Sequence, residues 1–166
     1  MKDYEIFYQQ LTTPFRSRPR IVKGMAYFNR GMTVFMPLVY GLVLIDAFLM
    51  EGWKGLLAFF LLPAIGFGLL SAIRKWLNQA RPYEKWAIQP LLAKDTSGKS
   101  MPSRHVFSAT VISMCLLYFF WLPGLLCLLL SAGLALVRVI GGVHYPKDVV
   151  IGYLCGICWG ALIFLL

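Results

Sequence analysis

Residues 124–148 read GLLCLLLSAGLALVRVIGGVHYPKD. Up to Ile140 the stretch is apolar apart from Ser131 and Arg138; then two glycines, a histidine, a tyrosine, a proline, a lysine and an aspartate crowd together. A second apolar run, 149–166, follows at once. A run of this length, about 20 residues, is what an α-helix needs to cross a bilayer. In hydrocarbon the backbone must satisfy its own hydrogen bonds, so such a run is helical. The stretch therefore predicts two membrane helices joined by a short polar turn, with ionisable side chains held at the membrane surface.

Working outward, three more apolar runs appear, at Thr33–Met50, Gly55–Ile73 and Val106–Leu122. The whole chain is 59% hydrophobic and only 14% charged, where a soluble domain carries about 25% charged residues. The expected fold is all-α: a polytopic membrane bundle of about five transmembrane helices plus an N-terminal interfacial segment. Residues 1–30 form that basic segment, mixing aromatics with Arg16, Arg18, Arg20, Lys23 and Arg30, as suits a stretch on lipid headgroups. They carry no signal-peptide pattern. Residues 31–166 form the membrane domain. Cys115, Cys127, Cys155 and Cys158 all fall within apolar runs and read as small buried hydrophobes.

The connections set the topology. Residues 51–54 and Pro123 make tight antiparallel turns on one face. The N-terminal segment, the 74–104 loop and the 141–148 loop gather on the other. Both histidines of the chain, His105 and His144, fall at span ends on that second face.

Three clusters there carry chemistry. In Arg138-x5-His144-x3-Asp148, a compact turn lets the Asp148 carboxylate accept from one imidazole nitrogen and leaves the other as a nucleophile. Gly141 and Gly142 would let the backbone approach an anion. A helix cap by Asp148 beside an interfacial histidine is the plainer alternative. In Pro102-Ser103-Arg104-His105, Ser103 is placed as an N-cap. The helix start behind it suits phosphate, and His105 can serve as a general acid; an ordinary capped helix reads the same way. In the third cluster Arg74, Asn78 and Arg81 share one helix face, with Lys75 alongside. Their guanidinium forks fit phosphate oxygens, although basic residues beside a span also meet headgroups. Of the seven acids only Asp148 falls within these clusters, too few for a Mg²⁺ or two-metal site. No metal, cofactor or nucleic acid is implied.

With these blocks the chain resembles the type 2 phosphatidic acid phosphatase superfamily, whose pattern is K-x6-R-P, P-S-G-H and S-R-x5-H-x3-D. Here they stand as Arg74-x6-Arg81-Pro82, Pro102-Ser103-Arg104-His105 and Arg138-x5-His144-x3-Asp148, within about residues 55–166. Arg74 replaces the first lysine with Lys75 one place late, Arg104 replaces glycine, and Val137 replaces serine. The resemblance implies a metal-independent lipid phosphatase with a phosphohistidine intermediate. It implies His144 as nucleophile, Asp148 as its partner and His105 as acid, with Arg74 (or Lys75), Arg81, Ser103, Arg104 and Arg138 around the phosphate.

The substrates it suggests are undecaprenyl diphosphate, phosphatidylglycerol phosphate or phosphatidic acid, in a bacterial cytoplasmic membrane. A lipid phosphotransferase and a non-enzymatic anionic-lipid binding or transport protein are the alternatives. Sidedness is pulled two ways. With the five basic site residues set aside, ten Lys and Arg lie on the site face against Lys54 on the other. That charge bias puts the site in the cytoplasm, whereas many bacterial relatives work on the outer face.

Overall fold

The computed structural model describes residues 3–94 and 96–165. Met1, Lys2, Asp95 and Leu166, which the expected segments and loop include, lie outside them. The described residues form α1 (Asp3–Arg16), α2 (Pro19–Leu77), the short α3 (Pro82–Lys85), α4 (Arg104–Phe119), α5 (Trp121–Ile140) and α6 (Pro146–Ala161), closed by a 3₁₀ turn at Leu162–Leu165. They contain no strand.

Helix α2 is two limbs, broken where Gly52 takes φ 68° and ψ −155°. A left-handed φ is cheap only for glycine, so one residue reverses the chain. The limbs then close on each other. A Cβ on Gly55 would lie 2.8 Å from the Ala47 carbonyl oxygen, and the Phe48 and Trp53 rings sit 5.1 Å apart. The two limbs, α4, α5 and α6 are the main helical segments of the bundle, consistent with about five crossings. Residues 19–51 run for about 50 Å, against about 30 Å of hydrocarbon. The first limb is thus longer than a hydrocarbon layer, and residues 19–30 share one continuous helix with the apolar run at 33–50.

The turn between α4 and α5 is at Phe120 (φ −136°, ψ 95°), not at Pro123. Pro123 sits in the first turn of α5, where its missing N–H would have no partner in any case. Helix α4 is consequently short, and residues 109–116 are buried throughout. It is the central helix, packed by α2, α5 and α6. Its hydroxyls turn inward: Thr110 donates to the Val106 carbonyl (2.9 Å), Ser113 to the Ala109 carbonyl (2.8 Å), and Ser113 meets Ser131 of α5 at 3.2 Å. Such bonds hide polar groups in a site without water.

Close packing of α6 on α4 rests on Gly152, Gly156 and Gly160. Cβ atoms there would meet Ser103 backbone at 2.8 Å, Thr110 at 2.7 Å and Met114 at 2.5 Å. A small residue every fourth position is the usual means of close helix approach in lipid. The outer surface carries Leu38, Leu42, Leu49, Ile65, Leu129 and Leu136, all more than half exposed except for lipid contact. Cys115 and Cys127 are buried as expected. Cys155 and Cys158 are exposed on the outside of α6, because the inward stripe of that helix is taken by the glycines.

Pro63 has no N–H to give to the Phe59 carbonyl one turn earlier. The Tyr40 hydroxyl from the first limb donates to it instead, at 3.1 Å. Tyr40→Phe leaves that carbonyl unpaired in an apolar interior. It should cost about 1–3 kcal/mol, read as a lower thermal midpoint in detergent. An unchanged midpoint would show that this bond does not support the helix at Pro63.

Candidate active site

The turn after α5 is folded on its own carbonyls. Gly141 N–H donates to Val137, Gly142 N–H to Val139, and the Val143 and His144 N–H groups both to the Arg138 carbonyl (3.2 and 3.3 Å). Gly142 supplies the φ of +76° that the reversal requires. The two glycines do not form an anion cradle, contrary to the sequence expectation. A Cβ on Gly141 would strike Leu92 at 2.4 Å, and one on Gly142 the Tyr8 hydroxyl at 2.5 Å. They make room for the 86–92 loop and for α1. Tyr8 donates to the Ile140 carbonyl (3.1 Å) and Arg16 to the Gln89 carbonyl (2.8 Å), so α1 is tied down over this turn.

His144 is 1% exposed and Asp148 fully buried. Nδ1 of His144 lies 3.5 Å from Oδ2 of Asp148. The same carboxylate oxygen accepts the Tyr145 N–H at 3.1 Å, as the third residue of α6. Capping and histidine pairing, alternatives in the sequence, are thus both made by one side chain. Ser100 completes the group. Its hydroxyl donates to Oδ2 of Asp148 through a short bond and lies 3.4 Å from His144 Nδ1. Burial lowers the His144 pKa from 6.5 to about 4, with Arg138 and Arg81 adding to the effect and the Asp148 hydrogen bond opposing it. Burial thus favours the neutral imidazole, whose Nδ1 faces the carboxylate.

The arginines arrive from three elements. Arg138, in the last turn of α5 and 1% exposed, donates from Nη1 to Oδ1 of Asn29 on α2 at 2.9 Å. Arg81, 3% exposed and just before α3, spans two loops. Its Nε donates to Gly98 O (3.2 Å), Nη1 to Val143 O (3.4 Å) and Nη2 to Thr96 Oγ1 (3.0 Å). Arg74, near the end of α2, is buried and donates to the carbonyls of Ser100 and Pro102. Neighbouring Lys75 is exposed. Of the two first-block cations, Arg74 is the one built into the buried cluster.

Ser103 occupies the N-cap position of α4, yet its hydroxyl makes no cap bond and has no partner although buried. Its N–H donates to the Asp148 carbonyl at 2.9 Å, pinning the start of α4 to the start of α6. Arg104 is exposed, its guanidinium 5.3 Å from the centre of the Phe67 ring. His105 lies on the wall of a cavity of about 300 Å³ with Met32, Met36, Phe67, Arg104 and Ile112. A second apolar cavity shares Phe67, Ser108 and Ile112 with it and reaches Tyr40 and Phe60, toward the membrane interior. Among the described residues no three of His, Cys, Asp and Glu gather as metal ligands.

Ser100 and Asn29 were not legible in the sequence. They stand 48 and 109 residues from their partners. Ser100 had one weak signal, its place two residues before Pro102 in the second block.

Comparison with known proteins agrees with this architecture. Residues 53–166 match the family model described as the PAP2 superfamily. Among solved structures, the crystal structure of Aquifex aeolicus LpxE aligns at 22% identity and a TM-score of 0.71, over 96% of this chain and 93% of that one. A transmembrane PAP2-type phosphatidylglycerolphosphate phosphatase from Bacillus subtilis aligns at 20% identity and 0.62, over 99% and 95%. At these identities the two share the fold. No curated protein matches the chain.

The buried imidazole has a consequence for stability. An unfolded chain takes up a proton here below about pH 6.5, whereas the folded chain refuses it until about pH 4. Stability present above pH 6.5 is therefore lost as pH falls through that window. Thermal midpoints in detergent should fall between pH 6.5 and 4, and less steeply in His144→Gln. Parallel slopes would contradict a neutral buried imidazole.

Proposed function

The chain belongs to the PAP2 superfamily, and on that premise we propose that it is a membrane phosphatase that removes a phosphoryl group from a lipid through a phosphohistidine at His144. The observation that carries this reading is a neutral, buried imidazole whose Nδ1 faces Asp148 and Ser100, with Arg138 and Arg81 beside it. A neutral histidine is the nucleophilic form, and fixed cations hold the charge that develops on transferring oxygens.

In the first step Nε2 of His144 bonds to phosphorus and the ester or anhydride oxygen leaves with its electron pair. His105, on the wall of the apolar cavity, is the proton donor to that oxygen. In the second step a water oxygen displaces Nε2 and inorganic phosphate departs, His105 now taking the water's proton. Asp148 keeps Nδ1 protonated and offsets the positive charge on the ring while it is phosphorylated. Ser103, with its buried unpartnered hydroxyl, and Arg74, Arg81, Arg104 and Arg138 bind the phosphoryl oxygens, with Lys75 at the rim. The apolar cavities leading from Arg104 and His105 toward Tyr40 fit a hydrocarbon chain that stays within the bilayer. Undecaprenyl diphosphate, phosphatidylglycerol phosphate and phosphatidic acid all have such chains. No step requires a metal ion. The place we assign it is a bacterial cytoplasmic membrane, with α1 at headgroup level.

Purified protein in detergent with EDTA should release phosphate from lipid phosphates. His144→Ala should abolish release, and Asp148→Asn should lower kcat by on the order of 100-fold or more. Rapid quenching with radiolabelled substrate should trap an acid-labile, base-stable phosphoprotein. Undiminished turnover in His144→Ala would refute the mechanism.

A further inference from the structure

Beside the buried cluster lies a cavity of different character. It has a volume of about 290 Å³ and is lined by Ser71, Arg74, Lys75, Thr96, Ser97, Lys99 and Arg104. Among the described residues, four cations and three hydroxyls line it and no carboxylate does. They come from the end of α2, the 96–99 turn and the first residue of α4, so the concentration of charge is made by the fold and not by one run of sequence. The turn is set by two left-handed residues, Gly98 (φ 59°) and Lys99 (φ 50°). Glu84, the acid that reaches this loop, is engaged by the N–H groups of Gly98 and Arg81. The Ser71 hydroxyl is buried with no hydrogen-bond partner. Cations gathered beside an unused donor make a favourable seat for an anion.

Two residues connect this cavity to its neighbours. Arg74 donates to the carbonyls of Ser100 and Pro102, and Ser100 touches both His144 and Asp148. Arg104 also lines the apolar cavity beside His105. The basic cavity thus borders both the nucleophile's cluster and the route for the hydrocarbon chain.

We infer that this cavity is a second anion subsite, which holds an additional phosphoryl group on the same lipid, next to the one that is attacked. The inference rests on the phosphatase reading above. For an anhydride-linked pair, the His144 Nε2–phosphorus bond forms and the bridging P–O bond breaks. The bridging oxygen keeps the electron pair and leaves on the lipid monophosphate, whose charge Lys75 and Lys99 receive. Water then releases inorganic phosphate from His144. A phosphodiester lying beside a terminal phosphomonoester presents the same second group through an ester link.

Two matched substrate pairs test this in neutral detergent–phosphatidylcholine micelles: farnesyl diphosphate against farnesyl phosphate, and phosphatidylglycerol phosphate against phosphatidic acid. Wild-type kcat/KM should favour the member with two phosphoryl groups in at least one pair, and which pair does so tells an anhydride from an ester link. Lys99→Asn keeps a residue that tolerates left-handed backbone. It should reduce that preference by about tenfold, while Lys99→Arg restores it. Phosphate release with no preference in either pair overturns the subsite and leaves the phosphatase reading intact. So does an equal loss on both members in Lys99→Asn, which would mean that the cations serve the bulk headgroup layer. Absence of phosphate release from all four lipids overturns both.

Discussion

The structure depends on how closely α6 approaches α4. Three glycines a turn apart remove every Cβ from the contact, and the Ser103 N–H reaches the Asp148 carbonyl across it at 2.9 Å. That single backbone bond joins two of the three sequence blocks. Any bulk on the stripe would slide the start of α4 along α6 and carry Ser103, Arg104 and His105 away from His144. In lipid there is no hydrophobic gain from helix association to compensate, so precise contact has to supply the cohesion. The arrangement of the three blocks is in this sense set by residues that have no side chain.

The second constraint is electrostatic. Arg74, Arg81 and Arg138 are all buried, and among the described residues Asp148 is the carboxylate buried with them. Charges so placed are tolerable only if each is hydrogen-bonded. Arg74 and Arg81 spend much of their donor capacity on backbone carbonyls of the 96–102 loop and of Val143, and Arg138 bonds Asn29. The cations thereby act as staples between loops as well as centres of positive charge. The loops they staple are the ones that carry Ser100, Ser103 and His144. The same bonds therefore fix the loops and hold the positive charges together.

Much of this was readable in advance, for a physical reason. A polar residue inside or beside an apolar run is costly, so Arg138, His144 and Asp148 announced themselves by position as well as by type. Span count and the shared face of the blocks followed from run lengths. What failed was local detail that tertiary contacts decide. Pro123 looked like a break but fits the first turn of α5. Gly141 and Gly142 looked like an anion cradle but accommodate Leu92 and Tyr8. Cys155 and Cys158 looked buried but face outward, since glycines hold the inward positions. Ser100 and Asn29 had no local pattern, because their partners are supplied by folding alone.

The far end of the bundle is closed by Gly52 on one side and Phe120 on the other, each a single residue between helices. Such seams have no slack. A residue added at either would rotate a whole helix by about 100° and turn its lipid-facing side inward. The 78–103 connection at the opposite end is long, so a residue added there between its anchored positions Arg81, Ser100 and Ser103 would leave helix register undisturbed. A lineage built on this frame can change what it recognises while its membrane core stays fixed.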